Sequence, residues 1–271
     1  MLRQAIGAVI AALAVASSAD AGDLGARSGS IKDAPAAYGS SLWEGFYIGA
    51  NAGYAWAGNN GGNIEVFDNQ GKPYATGPLN YDLSLEGGFA GLQMGFNRRA
   101  GNFVFGLEAD IQTRVDGGSK TSFDPPAIFN FDYTASLDVA WFGTLRGRVG
   151  YARDRTLIYA TGGLAFGEVN YSARYLITEP CCSGGFANLK SSGVETGYVI
   201  GGGLEHAINP NWSLKLEYQY INLGSGKAEA PLFFANGSPS GEKVKADFDT
   251  DFHTVRLGLN YRFQREPEPL K

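Results

Sequence analysis

From Val255 to Phe263 the chain alternates without a break. Val255, Leu257, Leu259, Tyr261 and Phe263 occupy the odd positions, with Arg256, Gly258, Asn260 and Arg262 between them. Successive side chains of a strand point to opposite faces, so this run has one apolar face and one polar face. The pattern recurs in about eight segments, near 46–56, 85–97, 102–113, 136–151, 156–169, 195–207, 212–222 and 254–263. Several of the polar faces carry full charges. A soluble sandwich would turn such a face to water, whereas a closed barrel turns it to its own axis and shows lipid the apolar face. The pattern therefore predicts an all-β protein: an eight-stranded antiparallel up-and-down transmembrane β-barrel, apolar outside and polar inside.

The connections alternate in length. Tight turns are expected near 98–101, 152–155 and 208–211, and long polar loops over 57–84, 114–133, 170–194 and 223–251. Short turns on one side and long loops on the other are the habit of outer-membrane barrels. Parity also sorts the aromatics into two bands. Phe46, Phe96, Phe103, Tyr151, Trp212, Tyr261 and Phe263 fall at one rim, and Trp56, Trp141, Tyr220, Tyr54, Phe166 and Tyr198 at the other. Taken singly, each ring is more often ordinary packing; two bands are what a barrel places at its two interfaces.

The polar faces supply four acids, Glu108, Asp110, Glu205 and Glu217, and five bases, Arg146, Arg148, Lys215, Arg256 and Arg262. On the 136–151 strand, Leu137, Val139 and Trp141 are read as outward and Asp138 as inward. Eight strands enclose only enough width for side chains to fill. Charges crowded there should pair, because an unpaired buried charge is costly. A plugged lumen is the expectation, with a charge-lined pore as its rival. Glu108 and Asp110 lie two apart on one strand face, which a lumen network produces as readily as a pair of glycosidase acids, and no catalytic residue is assigned. The two histidines, His206 and His253, fall on outward positions. His253 is a candidate haem or metal contact beside the upper loops, against the plainer reading of a polar residue at the interface.

Composition agrees with many strands and tight turns. There are 39 Gly, 17 Phe and 14 Tyr, with 18% charged residues. Net charge is −5 with no cluster of Lys and Arg, which speaks against a nucleic-acid partner. At the N-terminus, Arg3, the apolar run 5–16 and Ala19-Asp20-Ala21 read as a signal peptide over 1–21. A flexible periplasmic lead-in is expected over 22–42, the barrel over 43–263 and a short tail over 264–271. No later segment has the ~18 continuous apolar residues of a membrane-spanning helix. The adjacent Cys181 and Cys182 permit neither a disulfide framework nor zinc spacing. Their redox state stays open.

Several stretches carry a family resemblance. They include Trp43-Glu44-Gly45-Phe46-Tyr47-Ile48-Gly49-Ala50-Asn51-Ala52-Gly53-Tyr54 and Asn102-Phe103-Val104-Phe105-Gly106-Leu107-Glu108-Ala109-Asp110-Ile111. Others are Trp141-Phe142-Gly143-Thr144-Leu145-Arg146-Gly147-Arg148-Val149-Gly150-Tyr151 and the runs 159–165, 210–218 and 252–263. Together they resemble the small outer-membrane immunogenic proteins of alphaproteobacteria, a porin-like group similar in architecture to the OmpA membrane domain. The resemblance implies a Gram-negative outer-membrane location, contact with outer-membrane lipid and lipopolysaccharide, and surface antigenicity. It also implies roles in envelope integrity, porin-like passage or haemin binding, and extracellular or host ligands met through the loops. It implies no agreed active site and no cofactor. Family members typically end at the terminal Phe, whereas Gln264 to Lys271 continue past it here. A structural surface barrel is the first expectation, a narrow channel or haemin receptor the second. A lipid-modifying enzyme or a soluble lipocalin-like binder ranks below both.

Overall fold

The computed structural model describes residues 42–58, 61–80, 85–114, 119–123, 131–177 and 184–263. The signal peptide, most of the lead-in, the Cys181-Cys182 pair and the tail after Phe263 lie outside the described residues. The described elements are strands: β1 (Gly45–Ala57), β2 (Gly61–Phe67), β3 (Pro73–Asn80), β4 (Gly87–Ala100), β5 (Phe103–Arg114), β6 (Ser119–Phe123), β7 (Phe131–Arg153), β8 (Thr156–Ile177), β9 (Gly185–Ala207), β10 (Trp212–Phe234) and β11 (Pro239–Arg262).

Eight of them close a ring in the order β1-β4-β5-β7-β8-β9-β10-β11, with β11 pairing back onto β1. Every pairing is antiparallel. The other three strands continue staves of this ring. β11 pairs with β1 over Phe252–Arg262 and with β2 over Lys243–Phe248, so β1 and β2 share one edge of β11. β7 pairs with β5 over Trp141–Tyr151 and with β6 over Tyr133–Leu137. β3 pairs with β2 as β4 pairs with β1. Eleven strands are thus eight staves, some of them interrupted.

The stretches expected as long polar loops are in large part strands, which is a correction. β8 and β9 stay paired out to Ile177↔Gly185, and β10 and β11 to Phe233↔Pro239. The reason is visible along β10. From Trp212 to Tyr220 its outward residues are Trp212, Leu214, Leu216, Tyr218 and Tyr220, and its buried ones Ser213, Lys215, Glu217 and Gln219. Beyond Tyr220 the polarity reverses: Ile221, Leu223, Ala228, Ala230 and Leu232 are buried, while Lys227 and Glu229 face out. β11 reverses likewise, with Val244, Ala246, Phe248 and Phe252 inside. The near half of the ring is inverted, as lipid requires; the far half has the apolar interior of a water-soluble protein. That interior crosses the lumen, where Tyr171 of β8 stacks on Phe248 of β11 at 4.0 Å.

β7 holds a second correction. The β7–β8 register slips between Val139 and Trp141, so one residue bulges. A bulge flips the face of everything on one side of it. Leu137 and Val139 are therefore buried in the far interior, not on the outer face shared by Trp141, Leu145 and Val149. Asp138, read as inward, lies on the outward parity.

Candidate functional site

The near half of the lumen collects the charged residues of five staves, β5, β7, β9, β10 and β11. Glu108 stands directly across the β5–β7 ladder from Arg146, and Glu217 across the β10–β11 ladder from Arg256. In the ring of eight, β5 and β10 are four staves apart, as are β7 and β11, so the two pairs face each other across the axis. The long guanidinium arms reach over it. Arg146 donates from Nη1 to Glu217 at 2.9 Å and from Nη2 to Asp110 at 2.7 Å, and it also bonds Glu108. Arg256 donates to Glu217 at 2.8 Å from Nε and 2.5 Å from Nη2, and from Nη2 to Asp110 at 3.0 Å. Lys215 Nζ donates to both oxygens of Glu108, at 2.9 and 3.1 Å. All six side chains are buried. Charge-assisted bonds of this kind are roughly twice as strong as neutral ones, and they tie opposite walls together.

Neutral groups complete the coordination. Tyr47 donates to Glu108 and Tyr159 to Glu217, both at 2.5 Å. Thr144 donates to Asp110 at 2.8 Å, and Gln219 to Glu217 at 2.8 Å. Gly258 leaves room for Lys215 and for Gln93. A Cβ there would lie 3.0 Å from Gln93 Nε2 and 3.4 Å from Lys215 Cε.

A second layer sits nearer the turns. Arg148 donates to Glu205 at 3.0 Å and to Asn97 at 2.8 Å, with its guanidinium over the rings of Tyr47 (4.8 Å) and Tyr159 (5.4 Å). Glu205 also accepts from Ser213 at 2.6 Å and Asn260 at 2.9 Å. Arg262 stands 3.8 Å from Glu205, bonds the carbonyl of Leu42 and lies over the Trp43 ring at 4.9 Å. Trp43 is itself fully buried and packs with Leu42, Val104, Ala152 and Leu157. At the other end of the charged layers, Phe142 meets Phe89 and Phe252 edge-on at 5.4 and 5.3 Å.

All nine charged positions singled out from sequence are buried inside this ring. Tyr47, Tyr159, Trp43 and the three phenylalanines were not singled out. Tyr47 and Tyr159 share the inward parity of Glu108 and Arg146, which is the signal that finds them. Trp43 precedes the first strand and has no parity to read. Some inner groups have no protein partner among the described residues, including Arg146 Nε, Arg256 Nη1, Gln112 Oε1 and Thr254 Oγ1. Buried water commonly satisfies such atoms. No group of His, Cys, Asp and Glu suited to a metal occurs among the described residues.

Outside the ring the aromatics pair across strands. Near the turns these are Phe46–Phe263 (5.9 Å), Phe103–Tyr151 (5.7 Å) and Trp212–Tyr261 (5.1 Å), with Phe96 exposed beside them. Toward the long hairpins, Trp56, Tyr218 and Tyr220 surround His253 at 5.6, 5.9 and 5.2 Å, and Trp141 meets Phe166 at 6.2 Å. His206 is exposed near the turns. On the long hairpins, exposed Glu229 bonds Lys243 at 3.0 Å with Lys245 at 3.5 Å, which holds its carboxyl below the usual carboxylate range. Burial pushes the Tyr175 phenol up.

The family model described as an outer membrane protein beta-barrel domain matches residues 8–263. The chain is 38% identical over 223 residues to the 31 kDa outer-membrane immunogenic protein of Brucella melitensis biotype 1, covering 82% of this chain and 84% of that one. It is 28% identical to the 22 kDa outer membrane protein of Rhizobium leguminosarum bv. viciae, covering 82% and 78%. Among solved structures it resembles the outer membrane protein OprG of Pseudomonas aeruginosa at 13% identity, covering 82% and 97%, with a TM-score of 0.45. The closed ring, its apolar outer face, the family model and the Brucella relative agree: the chain is an outer-membrane protein of the β-barrel family that includes the immunogenic outer-membrane proteins of Brucella.

Proposed function

We propose that this chain is a structural, non-enzymatic barrel whose lumen is plugged, and whose long hairpins form an extracellular surface that meets antibodies and other external partners. The signal peptide, periplasmic lead-in and barrel divide the chain as 1–21, 22–42 and 43–263 in this reading. Short turns face the periplasm, and lipopolysaccharide surrounds the rim near His253. One observation carries the plug: acids and bases from opposite walls bond across the axis, with Trp43 below them and Phe89, Phe142 and Phe252 above. A hydrated ion would have to break bonds between buried charges to pass, and breaking a buried pair costs several kcal/mol. The name of the Brucella relative supports the surface reading.

Planar-bilayer recording of the purified barrel tests the plug. No steady conductance steps are expected, and reproducible steps of nanosiemens size would replace the plug with a pore. A second reading, haemin capture at the hairpin-side rim, draws on His253 among three aromatic rings with Tyr218 Oη 2.8 Å from its Nδ1. A Soret shift on haemin titration that disappears in His253→Ala would support it, and no shift would remove it.

A further inference from the structure

The turn end of the barrel carries exposed arginines at the β7–β8 connection. The β7–β8 connection is a two-residue turn, Asp154 and Arg155, closed by the pair Arg153↔Thr156. Asp154 takes a φ of 52°, a left-handed conformation that Asp tolerates better than most residues. Arg153 and Arg155 are both exposed at this turn. β8 carries Thr156 beside His206 of β9, and the two meet at 3.1 Å between Oγ1 and Nδ1, which holds the imidazole in the same groove as the two arginines. Further along the strands from the turn, Tyr151 and Ile158 are 47% and 60% exposed on the apolar outer face. These side chains line one surface groove of about 650 Å³, in which Asp154 is the single carboxylate.

The groove has a cationic head, two guanidinia against one carboxylate, and an apolar floor running down the lipid-facing wall. That is the shape and charge of a lipid carrying a net negative headgroup. We propose that it binds one anionic phospholipid. The phosphate is held by Arg153 and Arg155 beside His206, and an acyl chain lies along Tyr151 and Ile158. A zwitterionic headgroup brings its own ammonium to the same place and gains less. That the lipid belongs to the periplasmic leaflet rests on the orientation proposed above; the site itself does not, and it holds whether or not the lumen conducts.

The test is native mass spectrometry of the detergent-purified, full-length barrel, titrated with phosphatidylglycerol and with phosphatidylethanolamine of matched acyl chains. The wild type should retain one phosphatidylglycerol in clear preference. Arg153→Gln/Arg155→Gln should weaken that retention roughly thirty-fold, from about a factor of five for each basic side chain near an anionic headgroup. Arg98→Gln/Arg99→Gln alters a neighbouring turn outside the groove and should weaken it only a few-fold. Equal retention of both lipids by the wild type, or equal loss in both double variants, overturns the proposal. A phosphatidylglycerol with a photoactivatable acyl chain gives a readout that needs no variant. Labelling at Tyr151 or Ile158 supports the site, and labelling spread evenly around the belt overturns it.

Discussion

Arg146 and Arg256 show what a single residue does in this lumen. Each serves Asp110 and Glu217 at once, so removing either leaves buried carboxylates short of a cation. Replacing both members of a buried pair by apolar groups is often neutral, but removing one partner costs about 3–5 kcal/mol. Arg146→Met should therefore lower barrel stability by roughly that much in a denaturant titration in detergent. Glu229→Gln breaks the exposed contacts to Lys243 and Lys245, and its cost should stay below about 1 kcal/mol, because exposed pairs are screened by water. The Glu229 carboxyl is held low, so whatever that contact contributes is present at neutral pH and is lost as pH falls through its depressed range. An Arg146 variant no less stable than the Glu229 variant would mean the cross-lumen bonds do not hold the barrel. The charges themselves were legible from parity alone. Their partners were not, since Arg146 and Glu217 are 71 residues apart and meet only because the closed ring brings β7 and β10, three staves apart, together across the lumen.

At the scale of one element, β10 carries two environments. Its outward residues change from apolar to charged after Tyr220, and its inward residues change the other way after Gln219. The edge of the hydrocarbon should lie at this reversal, where apolar surface stops being favoured outside and starts being favoured inside. Spin labels should report lipid at Leu216 and water at Lys227. Leu216→Arg should cost up to about 2–4 kcal/mol, as a charge on the lipid face does near the bilayer midplane. Equal water access at both positions would move the membrane edge elsewhere. The far half of β10 reads as loop in the sequence because Lys227, Glu229 and the small Ala228 and Ala230 look polar and featureless against a pattern with a greasy outer face. Lys227 to Leu232 do alternate with the opposite polarity, but a register slip between Asn222 and Ser225 moves the buried face from odd to even positions. The bulge in β7 was not legible, since one extra residue leaves no mark in a run that is apolar on both sides of it.

At the scale of the molecule, the ring closes where β1 meets β11. Gly49 faces Asn260 there, and a Cβ on it would fall 2.6 Å from the carbonyl oxygen of Leu259, which is backbone and cannot turn aside. Gly49→Leu should hinder closure and abolish the shift in gel mobility on boiling that marks a folded barrel. Leu259→Ala, on the outer face of the same seam, should keep the shift. A normal shift in the Gly49 variant would show that the seam has more room than this.

By itself the sequence determined the strand period, the parity of the near half and hence the barrel's inside and outside, because a side chain's preference for lipid or for charge is local and repeats every second residue. Only the tertiary structure decided which acid meets which base, where the wall reverses its polarity, that Trp43 and three phenylalanines close the ends of the charged layers, and that two arginines share a groove with an apolar floor. Each of those depends on which strands become neighbours or opposites once the ring is shut, and no short window of the chain contains that information.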